Sequence, residues 1–309
     1  MSRGPRIVIL GSSGQLGREL HNSFAGAGEV LAFDQDSMDL ANPEQVRSAI
    51  RAASPAVILN AAAYTAVDRA ESEPELAMAV NAHAPGILAE EAQALGALLV
   101  HYSTDYVFDG TKTGAWEETD APHPLNVYGE SKLAGEQAIA RVGGKYLIFR
   151  TSWVYGPHGK NFLLTMLRLG SERDQLNIVD DQVGAPTTSI ELARATRTIV
   201  DGVVAGQFGA AGSWAGVYHM TCGGAVSWCG FAKAIFERGR SLLGERMPEV
   251  CPISTSAYPT PARRPANSVL SNQKLLERFG FELAPWGEAL EAVLRVLNEE
   301  TPKLSSRSG

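Results

Sequence analysis

Short apolar, β-branched runs recur along the first half of the chain, and a stretch with helical spacing follows each of them. Residues 6–10, 30–33, 56–59, 97–102 and 146–150 read as strands; residues 14–25, 42–52, 75–94 and 127–141 read as helices. Asn42 followed by Pro43 opens one of these helices, a capping side chain ahead of a residue whose fixed φ suits the first turn. Strands alternating with helices at this spacing build βαβ units and therefore a parallel sheet. The strands are almost wholly apolar, as expected when helices cover both faces of the sheet.

Beyond residue 150 the pattern loosens. Residues 161–169, 190–204, 228–243 and 286–299 have helical spacing, 217–220 is strand-like, and 248–265 reads as a proline-rich loop. Residues 108–126, with two glycines, two prolines and Trp116, read as a long functional loop. The formal charge is −7, from 27 Lys and Arg against 34 Asp and Glu, which argues against non-specific nucleic-acid binding. Cys222, Cys229 and Cys251 form no C-x-x-C pair, so a disulfide framework or zinc knuckle is not expected and a reducing cytoplasm is. The apolar run at 7–10 is too short for a signal peptide, and no run approaches the roughly 18 residues of a membrane span.

Gly11, Gly14 and Gly17 follow the first strand and open the first helix, in G-x-x-G-x-x-G spacing around Gln15 and Leu16. Glycines there allow a tight turn and close approach of a pyrophosphate, and the helix start offers free N–H groups to it. Asp34 ends the second strand, where an acidic side chain takes ribose hydroxyls and repels a 2′-phosphate, which favours NADH over NADPH. Asp39 and Leu40 stand where an adenine contact is expected, and Ala63, Tyr64 and Thr65 follow the third strand as a second lining segment. The expected fold is α/β, a Rossmann-type doubly wound parallel sheet with a smaller C-terminal substrate lobe. Residues 1–153 form the nucleotide domain, with 186–212 returning to it; 154–185 and 213–300 mainly form the lobe, and 301–309 a tail.

Tyr128 and Lys132 stand four apart at a helix start and so share one face. An ammonium near a phenol favours its ionised form, letting the tyrosine exchange a proton with a carbonyl or alcohol oxygen near neutral pH. Thr104 lies just past the fourth strand, at the sheet edge where ligands of doubly wound folds bind, and its hydroxyl can bond a reacting oxygen.

With the glycine turn, the segments His101 to Gly110, Pro124 to Glu136, Phe149 to Tyr155, Asp181 to Thr187 and Tyr258 to Pro265 make the chain resemble the extended short-chain dehydrogenase/reductases. Within them it is most similar to the dTDP-4-dehydrorhamnose reductase family, over nearly its whole length. The resemblance implies reduction of the C4 ketone of dTDP-4-dehydro-β-L-rhamnose by NADH or NADPH, the last step of dTDP-L-rhamnose synthesis. It implies Tyr128 as proton donor, Lys132 tuning it and holding the nicotinamide ribose, and Thr104 bonding the reacting oxygen. Asp105 and Trp153 would touch the sugar and Arg263 and Arg264 the diphosphate, while Tyr102 would join Gly11 to Gly17 in lining the cofactor. It also implies a homodimer with Mg²⁺ held by Glu19, Glu191 and Glu299. A 4,6-dehydratase is disfavoured because Tyr106, not a glutamate, follows Asp105. A 6-deoxytalose-forming reductase, an epimerase and a non-catalytic regulatory subunit stay open as alternatives.

Overall fold

The computed structural model describes residues 4–243 and 247–300; the tail expected at 301–309 lies outside them. Five strands, β1 (Arg6–Leu10), β2 (Glu29–Phe33), β3 (Val57–Asn60), β4 (Leu98–Thr104) and β5 (Tyr146–Thr151), form the first half of the fold. Between them run α1 (Gln15–Phe24), α2 (Pro43–Ala53), the short α3 (Val67–Ala70) and α4 (Pro74–Met78), then α5 (Ala84–Leu95) and α6 (Val127–Val142). The second half contributes β6 (Val154–Tyr155), α7 (Phe162–Glu172), β7 (Gln175–Val179), β8 (Val183–Gly184), β9 (Thr187–Thr188) and α8 (Ser189–Val204). It ends with β10 (Gly216–His219), β11 (Val226–Ser227), α9 (Trp228–Arg238), α10 (Arg240–Leu243), β12 (Glu249–Ile253), α11 (Gln273–Phe279) and α12 (Trp286–Glu300).

The central sheet has six parallel strands in the order β10-β5-β4-β3-β1-β2. Strand order reverses between β1 and β3, so their carboxyl ends diverge into a crevice, the place where such sheets take ligands. Successive β1 side chains enter opposite cores. Ile7 and Ile9 join Leu20 and Phe24 of α1 and Leu192 and Ile199 of α8, whereas Val8 and Leu10 join Ile50 of α2, Leu88 of α5 and Ile139 of α6. A third core gathers Leu163, Met166, Leu176, Phe231, Ile235, Phe236, Leu290, Val293 and Leu294. No helix is long and apolar enough to cross a membrane among the described residues, and the three cysteines are free.

Several elements differ from the sequence-based expectation. The helix expected at 75–94 is interrupted by a π turn, Ala79–His83. The helix expected at 228–243 divides at Gly239, where a side chain would stand 2.6 Å from the Ile235 carbonyl. The loop expected at 248–265 contains β12, which pairs in parallel with β7; Pro252 is tolerated because this two-stranded sheet is all edge. In the stretch 213–300, expected mainly in the lobe, β10 instead forms the edge of the central sheet beside β5. Helix α11 was not legible as a separate element.

The buried end of β10 supports a pH prediction. His219 is fully buried, its Nδ1 3.1 Å from the Trp116 carbonyl oxygen and its ring edge-on to Phe108. Burial, and then the nearby Arg150 guanidinium, depress its pKa to about 3. Unfolded histidine binds a proton below about 6.5, so this residue stabilises the native state fully above that pH and progressively less down to its folded pKa. Replacing His219 with glutamine is expected to flatten the decline of stability between pH 6 and pH 4 by about 1.4 kcal/mol per pH unit, read from urea unfolding. Parallel wild-type and variant slopes would contradict it.

Candidate active site

At the carboxyl end of β1 the chain turns through Gly11 with φ 76°, and a side chain there would lie 2.8 Å from Ala62 backbone atoms. One turn on, a Cβ at Gly17 would come within 2.0 Å of the Gly11 carbonyl oxygen. These two glycines let α1 and the loop after β3 approach one another. Gly14 caps α1 without a side-chain hydrogen bond, and no acidic residue occupies the first turn. The free N–H groups and the positive end of the helix dipole are therefore available to a phosphate. Gly17→Ala is expected to cost about 1–3 kcal/mol by overpacking, measured by urea unfolding; an unchanged midpoint would mean that the turn yields easily.

Gln15 ties this turn to the second half of the chain, its Oε1 accepting from Asn161 at 2.9 Å, while Leu16 is buried in the core. Asp34 ends β2 half-buried, its carboxylate held below its usual range by Ser37. Asp39 accepts from the Ala41 N–H at 2.9 Å, and Leu40 packs partly into the core. Ala63 and Tyr64 are half-buried and Thr65 exposed. The Tyr64 backbone is fastened to a residue not anticipated from sequence, Asn81, in the π turn. Asn81 Oδ1 accepts from the Tyr64 N–H at 2.9 Å, and its Nδ2 donates to the Tyr64 carbonyl and to Ser131 Oγ, each at 3.0 Å. Ser131 in turn donates to the Tyr128 carbonyl oxygen at 2.8 Å. One buried amide thus links the loop after β3 to the start of α6. The available sequence signal was a lone polar residue amid the buried alanines of a helix; π turns concentrate at functional sites.

Helix α6 starts at a cap in which Asn126 Oδ1 accepts from the Gly129 N–H at 2.8 Å. Gly129 rests on the turn after β4, since a Cβ there would stand 2.2 Å from the Tyr106 carbonyl oxygen. This contact sets Tyr128 beside Thr104, the last residue of β4. The Thr104 hydroxyl accepts from the Tyr106 N–H at 3.1 Å and donates to Asp105 Oδ1 at 3.0 Å. Burial raises the Tyr128 phenol to about 12, opposed by a hydrogen bond from Thr104 and reinforced by the Asp105 charge. The expected lowering by Lys132 is not found. The lysine Nζ lies 2.6 Å from the Tyr102 carbonyl oxygen and 3.2 Å from His101 Nε2, and burial depresses its own pKa to about 8. Desolvation dominates at the phenol, so Tyr128 keeps its proton at neutral pH.

Asp105 is buried with its Oδ2 unpartnered, and burial raises its carboxyl to about 6 against the pull of Ser268 and Thr104. Tyr102 joins the site through its carbonyl alone; its hydroxyl is 2.7 Å from Thr196 Oγ1 in the core. Trp153 is held at φ 49° and stacks on Trp228 with centroids 3.5 Å apart, while Gly184 leaves room for its indole. Arg263 is exposed. Arg264 pairs with Asp68 of α3 at 2.9 Å, so its charge is already matched. The carboxylates expected to hold Mg²⁺ are not assembled within the chain. Glu191 is paired with Arg194 at 2.7 Å, and among the described residues no group of His, Cys, Asp and Glu side chains that includes Glu19 or Glu299 forms a metal site.

A Rossmann-type sheet with a glycine turn at β1 and a threonine, tyrosine and lysine gathered around the end of β4 is the frame of a dinucleotide-dependent reductase of the short-chain class. The family model described as RmlD substrate binding domain matches residues 5–299. A dTDP-4-dehydrorhamnose reductase of Burkholderia thailandensis is 50% identical over 296 residues, covering 94% of this chain and 99% of that protein. Among solved structures, the dTDP-4-dehydrorhamnose reductase of Clostridium acetobutylicum superposes with a TM-score of 0.87 at 38% identity, covering 95% of this chain and 99% of that one. The Bacillus anthracis counterpart, in complex with NADP, gives 0.85 at 36% identity, with coverage of 95% and 99%. The chain belongs to the dTDP-4-dehydrorhamnose reductase family.

Proposed function

We infer that this protein reduces the C4 ketone of dTDP-4-dehydro-β-L-rhamnose to the alcohol, giving dTDP-β-L-rhamnose at the expense of NADH or NADPH, as the last step of dTDP-L-rhamnose synthesis. The observation that carries the reading is that Thr104, Tyr128 and Lys132 gather around the end of β4, beside a glycine turn, in a chain of this family. The glycine turn fits a dinucleotide because Gly17 lets α1 pack directly on the turn at Gly11, where a Cβ would clash, and α1 presents an uncapped start. The nicotinamide, when bound, supplies a hydride.

The protein's own groups do the rest. Thr104 donates toward the ketone oxygen and orients it. Tyr128, half-buried and kept protonated at neutral pH by desolvation, gives that oxygen its proton as negative charge develops. Lys132, charged below about pH 8, adds a positive field on the α6 face and has protons for a ribose hydroxyl. Asp105 and Trp153 are assigned to the sugar and Arg263 to the diphosphate; Arg264 serves the diphosphate only by sharing Asp68. The carboxylate of Asp34 favours NADH, whereas the NADP held by the Bacillus anthracis protein supports NADPH. The segments 154–185 and 213–300, with β10 excepted, are assigned to a substrate lobe. Three free cysteines suit a reducing cytoplasm.

The test is oxidation of NADH and of NADPH by the purified protein on adding the ketosugar generated in place, with the product identified by NMR. Rhamnose as product supports the reading. The talose epimer reassigns the stereochemistry, an epimerised ketone without cofactor oxidation indicates an epimerase, and tight cofactor binding without turnover of the ketosugar indicates a regulatory subunit.

A further inference from the structure

Tyr128 must recover a proton after each turnover, and the surrounding groups narrow the sources. On the α6 side, Lys132 turns toward the Tyr102 carbonyl oxygen and His101, which leaves one N–H for a ribose hydroxyl. On the β4 side, the Thr104 hydroxyl donates to Asp105 Oδ1 at 3.0 Å, and both side chains lie near enough to the Tyr128 phenol to act on it. Asp105 is buried, and among the described residues its Oδ2 has no hydrogen-bond partner and no cation pairs with it. The ionisable groups around it are Tyr106, which stands edge-on to Tyr128 with ring centroids 5.6 Å apart, Tyr128 itself on α6, and, beyond Tyr106, the matched pair Arg264 and Asp68.

We propose that Asp105 is the proton store of this site, returning a proton to Tyr128 through the Thr104 hydroxyl. The proposal rests on the reduction inferred above and extends it. Once the ketone oxygen has taken the phenolic proton, the phenolate oxygen takes the Thr104 hydroxyl proton. Thr104 takes the Asp105 proton as its own O–H bond breaks. Asp105 is left as carboxylate and recovers a proton from water when the product departs. The relay moves protons only; both electrons of the reduction arrive with the hydride. A carboxyl that burial holds near pH 6 is protonated often enough at neutral pH to serve.

Asp105→Asn keeps the size and the acceptor for Thr104 but has no transferable proton. The wild type is expected to lose kcat as pH rises through about 6, with a one-proton inflection. The Asn variant should lack that inflection and turn over about tenfold or more slowly at its optimum. Ser268 favours the charged carboxylate, so Ser268→Ala should move the inflection to higher pH. A raised KM with the inflection intact in Asp105→Asn would make Asp105 a sugar contact alone and overturn the relay. If the wild type turns over no ketosugar, the functional reading fails separately, and the ¹³C carboxyl resonance of Asp105 decides the relay. The same resonance decides it if the Asn variant does not fold. A titration near pH 6 that rises in Thr104→Val and Ser268→Ala supports the store, and a flat response between pH 5 and pH 8 overturns it.

Discussion

Replacing Tyr128 by phenylalanine is expected to lower kcat by about 10²–10⁴-fold and to leave KM and cofactor affinity nearly unchanged. The hydroxyl lost is the proton donor, and the ring remains to pack edge-on to Tyr106. Burial sets the sign of the pH effect as well. A phenol raised to about 12 stays protonated across the neutral range, so the reductive rate should show no dependence on Tyr128 ionisation there. Steady-state rates with the ketosugar, read at several pH values for both proteins, check this. A variant reducing the ketone at the wild-type rate would remove Tyr128 from the chemistry.

Glu136→Ala is expected to be the most damaging change to stability away from the reacting atoms, at about 3–5 kcal/mol. Glu136 and Arg150 are both buried, and the carboxylate accepts from Arg150 Nε at 2.9 Å and from its Nη2 at 2.6 Å. Ser103 Oγ completes the cluster at 2.5 Å, and the guanidinium lies over the Phe108 ring at 5.1 Å. Removing the carboxylate strands a buried guanidinium whose Nη1 already has no partner. Glu136 also lifts the pKa of Lys132 against the effect of burial, so its loss should drive that pKa below about 8 and thin the ammonium at neutral pH. Urea unfolding measures the first effect. The paired change Glu136→Leu with Arg150→Met should cost far less than Glu136→Ala alone, because it leaves no uncompensated charge. Equal costs would show that packing, not charge, dominates.

The parts of this molecule legible in its sequence are those governed by local rules. The alternation of β-branched runs and helices marks every one of β1 to β5; β1, β3, β4 and β5 are largely apolar because both their faces are buried, whereas the edge strand β2 is only partly covered. The glycine turn is readable because its spacing follows from close backbone approach. Pairings between distant segments are not readable: β12 exists because Gln175–Val179 offers it an edge, and no property of 249–253 alone says so. The π turn at Ala79–His83 belongs to the same class, since it depends on α6 resting against the Asn81 carbonyl through Gly135. Within the site, Thr104, Tyr128 and Lys132 are brought to one region, but the direction of Lys132 was not visible. Four-residue spacing fixes a shared helix face, whereas the partners of an ammonium depend on which carbonyls the neighbouring strand presents.

The third core joins Leu163 and Leu176 to Phe231 and Ile235, and then to Val293 and Leu294. Strands β1 to β5 find all their partners within residues 6–151, apart from the edge pairing of β5 with β10. A ribosome reading this message therefore releases most of a sheet long before it releases the last wall of the second half. The face of α9 that carries Phe231 waits, apolar and partly uncovered, until α12 has been made. A stalled or truncated product lacking α12 would carry an assembled glycine turn beside a sticky, unfinished neighbour, and such nascent chains should be the ones that chaperones hold.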